Sequence, residues 1–200
     1  MASEIEICNR ALTKLGEKTI LSLGDESKPA RIMNLLYEPT RDYVLRRHPW
    51  NFAIKRVVMA QSTTDPVYDY EYAYTLPTDC MRILSPSREV WEYGIEGRTL
   101  VTDYPNINLK YISRITDPNL FDVSFMEALA CKLAAESAVP LTDNDARHTS
   151  MEQLYQIAIR DARSNDAMED GPRWITSEEW LMSRRTGVAG PMGIYRGAPK

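Results

Sequence analysis

The chain has 200 residues, a formal net charge of −4 at pH 7 and a pI of about 5.3. A chain of this length can bury a core without disulfides or metal ions, and it fits one domain with short appendages. The acidic balance argues against a protein that binds DNA tightly and without sequence preference, but it is compatible with one that surrounds DNA and lets it slide.

The cysteines and the amino terminus predict a cytosolic folding environment. Cys8, Cys80 and Cys131 are odd in number, and their spacing matches neither a disulfide framework nor a metal site. Cys8 lies on an apolar helical stripe and Cys131 in an alanine-rich helix, so both are predicted to be buried and reduced. The amino terminus is acidic and amphipathic, unlike a signal peptide, and no run approaches the roughly 18 apolar residues of a membrane span. We therefore expect no membrane partner.

The amino-terminal region, residues 1–49, is predicted to form two helices. Ser3 followed by Glu6 forms a capping box, and Gly16 supplies a left-handed stop. The first helix is therefore expected from about residue 4 to residue 15. Its apolar stripe consists of Ile5, Cys8, Leu12 and Leu15.

The second helix is predicted to open at Ser27 or Pro29 and to extend to the basic residues before His48. Pro39 lies inside this helix, and a proline removes a backbone hydrogen bond there. We therefore expect a kink or a break near Tyr37. His48 is expected to cap carbonyl groups at the helix end or to interact with the helix dipole.

Residues 50–117 change from a helical to an alternating pattern. Trp50, Phe52 and Ile54 occupy every second position, which is typical of a strand. Further short strands at hairpin spacing are predicted at 68–77, 80–84, 89–102 and 107–115. The region is therefore expected to form a small antiparallel sheet.

The segment "YDYEYAYTLP" at residues 68–77 contains a tyrosine at every second position. In an extended strand this spacing places all four rings on one face. A platform for stacking nucleic-acid bases is disfavoured, because the charges between the rings are Asp69 and Glu71, which repel phosphate. We instead expect the rings to form the inner face of the β region, packed against Trp50, Phe52 and Trp91, and rings at the edge of this face are candidate contacts to a protein partner.

Two further helices are predicted over residues 118–169. The third helix is rich in alanine and is expected to end before Pro140. Thr142 with Asp145 forms a capping-box pattern that opens the fourth helix, which runs out near Asp170. The predicted apolar stripe of the fourth helix consists of Met151, Leu154, Tyr155, Ala158 and Ala162.

The last segment, residues 170–200, differs from the rest of the chain. It contains five of the nine glycines and three prolines, and its five basic and three acidic residues give it a charge of about +2 against about −6 for the body. Its large apolar and basic side chains predict an arm that holds a partner. The candidate partner-binding residues are Trp174, Trp180, Leu181, Met182, Arg184, Arg185, Tyr195 and Arg196.

The order of these elements predicts an α+β fold. A helical bundle is built from two N-terminal helices (1–49) and two C-terminal helices (118–169). A central small antiparallel β region (50–117) lies between them in the chain, and an extended C-terminal arm (170–200) follows.

The sequence lacks the patterns of common catalytic and cofactor sites. It contains no GxGxxG, Walker or GxSxG motif, and its two histidines, His48 and His148, have no HExxH or CxxC neighbours. Cys80 lacks a recognisable nucleophile context. The first two helices are about a dozen residues apart, too far for a helix-turn-helix. We therefore expect no enzyme activity, no cofactor, no metal and no sequence-specific DNA binding.

Four stretches together resemble the tail tubular protein A family of short-tailed bacteriophages, and the similarity covers about residues 4–165. The stretches are "ALTKLGEKTI" (11–20), "YEPTRDYVLRRHPWNFAIKR" (37–56), "YAYTLPTDCMRIL" (72–84) and "FMEALACKLAAESAVPLT" (125–142). The resemblance implies a structural virion protein with a helical bundle and a β region. It also implies a head-to-tail adaptor that forms a ring of twelve copies beneath the portal protein and joins it to the tail nozzle protein.

The same resemblance implies a place and a set of partners. The ring lies at the head–tail junction of the virion after assembly in the host cytoplasm, and DNA passes through its channel without sequence-specific binding. The long polar helix from residue 143 and the arm are candidate subunit contacts, since a closed ring needs two dissimilar surfaces. An acidic body would keep DNA from the channel wall, while the basic arm would hold a neighbour or the portal.

Two alternatives remain open at the level of the sequence. Another head-completion or plug component of the phage neck would also be small, helical and oligomeric. A soluble enzyme acting on a small ligand would instead stay monomeric or dimeric.

Overall fold

A computed structural model describes residues 3–87 and 92–169. These residues form four helices and two three-stranded antiparallel sheets, which confirms the α+β class. The helices are α1 (Glu4–Leu15), α2 (Lys28–Arg47), α3 (Val123–Thr142) and α4 (Asp145–Glu169). The strands are β1 (Ile54–Val58), β2 (Tyr72–Thr75), β3 (Cys80–Pro86), β4 (Gly94–Glu96), β5 (Thr99–Thr102) and β6 (Asn108–Ser113). No helix among the described residues is both long and apolar enough to cross a membrane.

The predicted bounds of α1 are confirmed, and so are the residues that set them. Ser3 Oγ accepts a hydrogen bond from the Glu6 amide at 3.1 Å and caps the first turn. Gly16 takes a left-handed φ of 73°, and the Glu17 amide then donates to the Leu12 carbonyl at 3.0 Å. This closing pattern is easiest for glycine, which carries no Cβ.

The second helix begins as predicted but is not interrupted by its proline. Ser27 Oγ accepts a hydrogen bond from the Ala30 amide at 3.3 Å, and Pro29 occupies the first turn. The predicted break near Tyr37 is wrong, because α2 continues through Pro39 to Arg47. Pro39 is exposed, so the carbonyl that loses its intrahelical donor lies on the hydrated side of the helix.

The junction of α3 and α4 also corrects the sequence prediction. Helix α3 does not end before Pro140 but runs to Thr142 and stops at Asp143, whose φ is 50°. The cap of α4 is Asn144, whose Oδ1 accepts from the amides of Ala146 at 2.9 Å and Arg147 at 3.2 Å. Thr142 instead donates its hydroxyl proton to the Ala138 carbonyl at 2.7 Å.

The β region contains two small sheets rather than the single sheet predicted. Their strand orders are β1-β6-β3 and β2-β5-β4, and every pairing is antiparallel. The predicted strand at Trp50 begins later, at Ile54, because Asn51–Ala53 forms a 3-10 turn. A turn of this kind redirects the chain from the end of α2 into β1.

The central element of the helical bundle is α3. It packs against α1, α2 and α4, and eleven of its residues are buried. The aromatic rings of Phe121 and Phe125 meet those of Trp50 and Phe52 at centroid distances of 5.1 to 5.8 Å. The residues around the 3-10 turn therefore belong to the helical core.

A second apolar cluster lies between the two sheets. Tyr74 and Leu100 contribute from one sheet, and Leu109 and Tyr111 from the other. Tyr74 is buried at 1% exposure, and its hydroxyl donates to the Tyr104 carbonyl at 3.0 Å. The polar end of this ring thus has a partner inside the fold.

The prediction of one shared face for four tyrosines is wrong. Asp69 has a φ of 70°, so the chain before β2 is not extended, and Tyr68 is 76% exposed. The expected packing against Trp50 and Phe52 is also wrong, because both rings lie in the helical core. Trp91 lies outside the described residues.

Candidate interaction surfaces

A surface groove lies between α3 and α4 and has a volume of about 450 Å³. It is bordered by apolar side chains that are exposed to water in the monomer. The exposed fractions are 68% for Val123, 43% for Leu154 and 55% for Ile157. We name it the α3–α4 groove.

The groove exists because small residues of α4 lie beside larger ones at this surface. The side chains of α4 that enter the core are Tyr155, Ile159, Ala162 and Asp166. Leu154 and Ile157 lie on the neighbouring stripe, while Ala158 and Ala162 line the groove without a side chain beyond Cβ. The predicted apolar stripe of this helix is therefore displaced, because Leu154 faces water and Ile159, which was not predicted, is buried.

Two pairs of polar groups lie at the edge of the groove, and the exposed Asp161 also lines it. Lys14 Nζ lies 2.6 Å from Glu127 Oε1, and Asn165 Nδ2 donates to Ser124 Oγ at 3.0 Å. Burial alone would lower the pKa of Lys14, but the hydrogen bond and the negative charge of Glu127 raise it overall. Burial raises the pKa of the Cys131 thiol, so this cysteine has little thiolate character. A groove that is mainly apolar, with polar groups at its edge, suits a protein partner better than a reaction.

A buried carboxylate holds the carboxyl end of α4 against the end of α2. Asp166 is 7% exposed; its Oδ2 lies 2.9 Å from His48 Nε2, and its Oδ1 accepts from the Asn51 amide at 2.9 Å. The Asp166 carbonyl accepts from Asn51 Nδ2 at 2.8 Å. We name these three residues the Asp166 node; it lies one turn before Glu169, the last residue described.

The predicted role of His48 is corrected by this node. His48 ends α2 with extended backbone angles, and its ring contacts Asp166 rather than the carbonyl groups of its own helix. The two residues are 118 positions apart, so local patterns did not pair them. The sequence does contain one signal for this contact: Asp166 lies on the same helical stripe as Tyr155, Ile159 and Ala162. A carboxylate on a buried face requires a hydrogen-bond partner, so a partner for Asp166 could have been predicted.

The sequence-predicted partner-binding residues, from Trp174 to Arg196, lie outside the described residues. Within 3–87 and 92–169, no cluster of three or more His, Cys, Asp or Glu side chains is arranged to hold a metal ion. Cys80 is half-buried, and burial raises its pKa.

Comparison with known proteins does not assign this chain to a family. No protein-family model matches the sequence, and no curated protein matches it significantly. Function therefore has to be proposed from the four stretches quoted above and from the surfaces of the described residues.

Proposed function

We propose that this chain is a subunit of the head-to-tail adaptor ring of a short-tailed bacteriophage. The ring lies beneath the portal at the head–tail junction of the virion, joins the portal to the tail nozzle and surrounds the DNA ejection channel. The observation that carries the proposal is the α3–α4 groove, an apolar surface on a chain whose sequence order resembles the tail tubular protein A family.

Ring geometry gives the groove a function. In a ring of twelve copies each subunit uses one surface to contact the next copy and a different surface to contact the previous one. Val123, Leu154 and Ile157 supply apolar area to one such surface, and a neighbouring copy is its occupant. Exposed apolar area of this kind is a mark of protein contacts.

The arm has a separate role in the proposal. Its large apolar and basic side chains hold a neighbouring copy or an acidic surface of the portal, and the nozzle binds the assembled ring. Removing residues 171–200 is therefore expected to weaken ring formation or portal binding. If ring formation and portal binding are unchanged after this deletion, the arm does not hold a neighbouring copy or the portal.

The first experiment is light scattering on the full chain, alone and mixed with the portal ring of its own phage. A stoichiometric complex with about twelve copies per portal ring is expected. A complex with a different copy number would favour another component of the phage neck. A chain that stays small and ignores the portal would refute the adaptor.

A pair of variants tests the groove within that experiment. Ile157→Glu places a charge among apolar groups that become buried on assembly, so ring formation with the portal should fall at least about tenfold. Leu21→Glu is the matched control, because Leu21 is 91% exposed and does not line the groove. Circular dichroism checks that both variants fold. Equal assembly of the two variants would show that the groove is not a subunit contact.

A further inference from the structure

Basic side chains form a row on one face of the β1–β6–β3 sheet. Arg56 is directly opposite Lys110 in the register, and Arg82 is opposite Ile112. Paired residues point to the same side of a sheet, and so do residues two positions apart on a strand. Arg82, Arg56 and Lys110 therefore share one face with Ile112, which is buried in the helical core, so these basic side chains lie around the part of the face that the helices cover.

The row continues past the end of this sheet. Arg82 donates from its guanidinium to the Arg46 carbonyl at the end of α2, at 3.4 Å. A pocket of about 280 Å³ follows, lined by Arg46 at the end of α2, Arg98 in the turn between β4 and β5, and Arg114 just after β6. The basic surface, as we name it, consists of Arg46, Arg56, Arg82, Arg98, Lys110 and Arg114.

The acidic groups near this surface are already engaged. Burial alone would raise the pKa of Asp79, but hydrogen bonds from Lys55 at 2.8 Å and Tyr111 at 3.0 Å lower it overall. Asp42 lies 2.9 Å from Arg114 and 3.0 Å from Arg41. The surface therefore keeps a positive charge that these two carboxylates do not cancel.

Among residues 3–87 and 92–169, most members of the basic surface have no carboxylate partner. Within the described part of the chain, Arg114 is the one member with a carboxylate within 4.0 Å. Like charges directly opposite each other, such as Arg56 and Lys110, destabilise a sheet. The repulsion between these two side chains lowers the stability of the sheet, although the chain as a whole has a net charge of −4. A negatively charged partner bound at this surface would offset that repulsion.

The dimensions of the surface favour an extended polyanion. Arg114 and Lys110 are four positions apart, which corresponds to about 13 Å along an extended chain. That length covers roughly four phosphates of one DNA strand at about 3.4 Å each. The lining of the pocket is otherwise polar apart from Cys80 and Met81, whereas a protein contact of this kind usually has an apolar centre. Arginine also presents a planar fork that matches phosphate oxygens.

We propose that the basic surface binds the phosphate backbone of double-stranded DNA without reading its sequence. The inference deepens the proposed function, because the channel of an adaptor carries DNA. Its test uses the unassembled chain, so a negative result here leaves the outcome of the portal experiment unaffected.

The test is fluorescence anisotropy of the full chain with a labelled random duplex of about 30 base pairs, over about 50 to 200 mM NaCl. With about four phosphate contacts, the logarithm of the binding constant should fall with log salt at a slope near −3.6, a loss of about 100-fold over this range. Arg82→Ala combined with Lys110→Ala should reduce that slope by about 1.8. Arg31→Ala with Arg160→Ala removes the same charge from exposed helix positions and should leave the slope unchanged.

Two further measurements separate charge from folding and DNA from other anions. Arg82→Lys with Lys110→Arg keeps both charges and should retain binding to within about threefold. The proposal is overturned if the wild type shows no salt-dependent binding, or if the two alanine pairs weaken binding equally. It is also overturned if polyglutamate displaces the labelled duplex more efficiently than unlabelled duplex does, since the partner would then be an acidic protein.

Discussion

Removing the Asp166 carboxylate should destabilise the fold more than removing any exposed carboxylate of α4. Asp166→Ala deletes the acceptor of the Asn51 amide and of His48 Nε2 in a site that is 7% exposed. Each donor left without a partner costs about 1–3 kcal/mol. With two donors affected, we therefore expect the free energy of unfolding to fall by about 2–6 kcal/mol and Tm to fall by roughly 4–24 °C.

Asp161→Ala is the matched control for this prediction. Asp161 lies on the same helix, is exposed, and has no ion pair among the described residues. Both variants replace aspartate by alanine in α4, so the change in helix propensity cancels in their difference. Urea unfolding followed by circular dichroism measures both. A difference under about 0.5 kcal/mol would refute the structural role of the node.

A double-mutant cycle with His48→Ala assigns the effect to the contact itself. The coupling energy between the two substitutions should be about 0.5–3 kcal/mol if Oδ2 and Nε2 interact as the 2.9 Å distance indicates. His48 also packs against Trp50 at 4.7 Å between ring centroids, so the single variant loses packing as well. Simple additivity of the two variants would mean that the carboxylate acts through Asn51 alone.

Two further predictions concern titrating groups. In native protein at pH 8 a thiol reagent should modify only half-buried Cys80, and slowly, because burial raises its pKa. Cys131 and Cys8 should react only after urea unfolding, because both are buried; burial raises the pKa of Cys131, and it raises the pKa of Cys8 to about 12. Burial and the hydrogen bond to Asp79 raise the pKa of Tyr111 to about 12, so above pH 10 the unfolded chain loses protons that the folded chain retains. The free energy of unfolding should therefore fall as pH rises from about 10 towards 12, with a smaller fall in Tyr111→Phe, and a constant value would contradict this.

The sequence predicted those features that depend on neighbouring residues. The cap at Ser3 and the stop at Gly16 each act within one helical turn, so their chemistry is readable from the chain. The burial of Cys8 and Cys131 followed from helical periodicity in the same way. These signals fixed the class of the fold and the order of its elements.

Features that depend on the tertiary environment were not predicted. Pro39 and Pro140 lie on exposed positions, where a lost backbone bond costs little, and sequence alone does not show which side of a helix faces water. Asp69 adopts a left-handed backbone that ends the tyrosine alternation, although the residue pattern itself continues. The α3–α4 groove was not predicted because it depends on which stripe of α4 the bundle covers.

Net charge does not show how the fold distributes charges over its faces. The expectation that an acidic body keeps DNA from the channel wall stays a prediction, while the register of β1 and β6 places Arg56 opposite Lys110 on one side of a sheet. The total of −4 is an average over the whole chain, whereas a bound phosphate responds to charges within about 10 Å. The proposed DNA contact is therefore compatible with a chain that is acidic overall. Weak contacts of this type are lost as salt rises, which allows DNA to slide rather than stay bound.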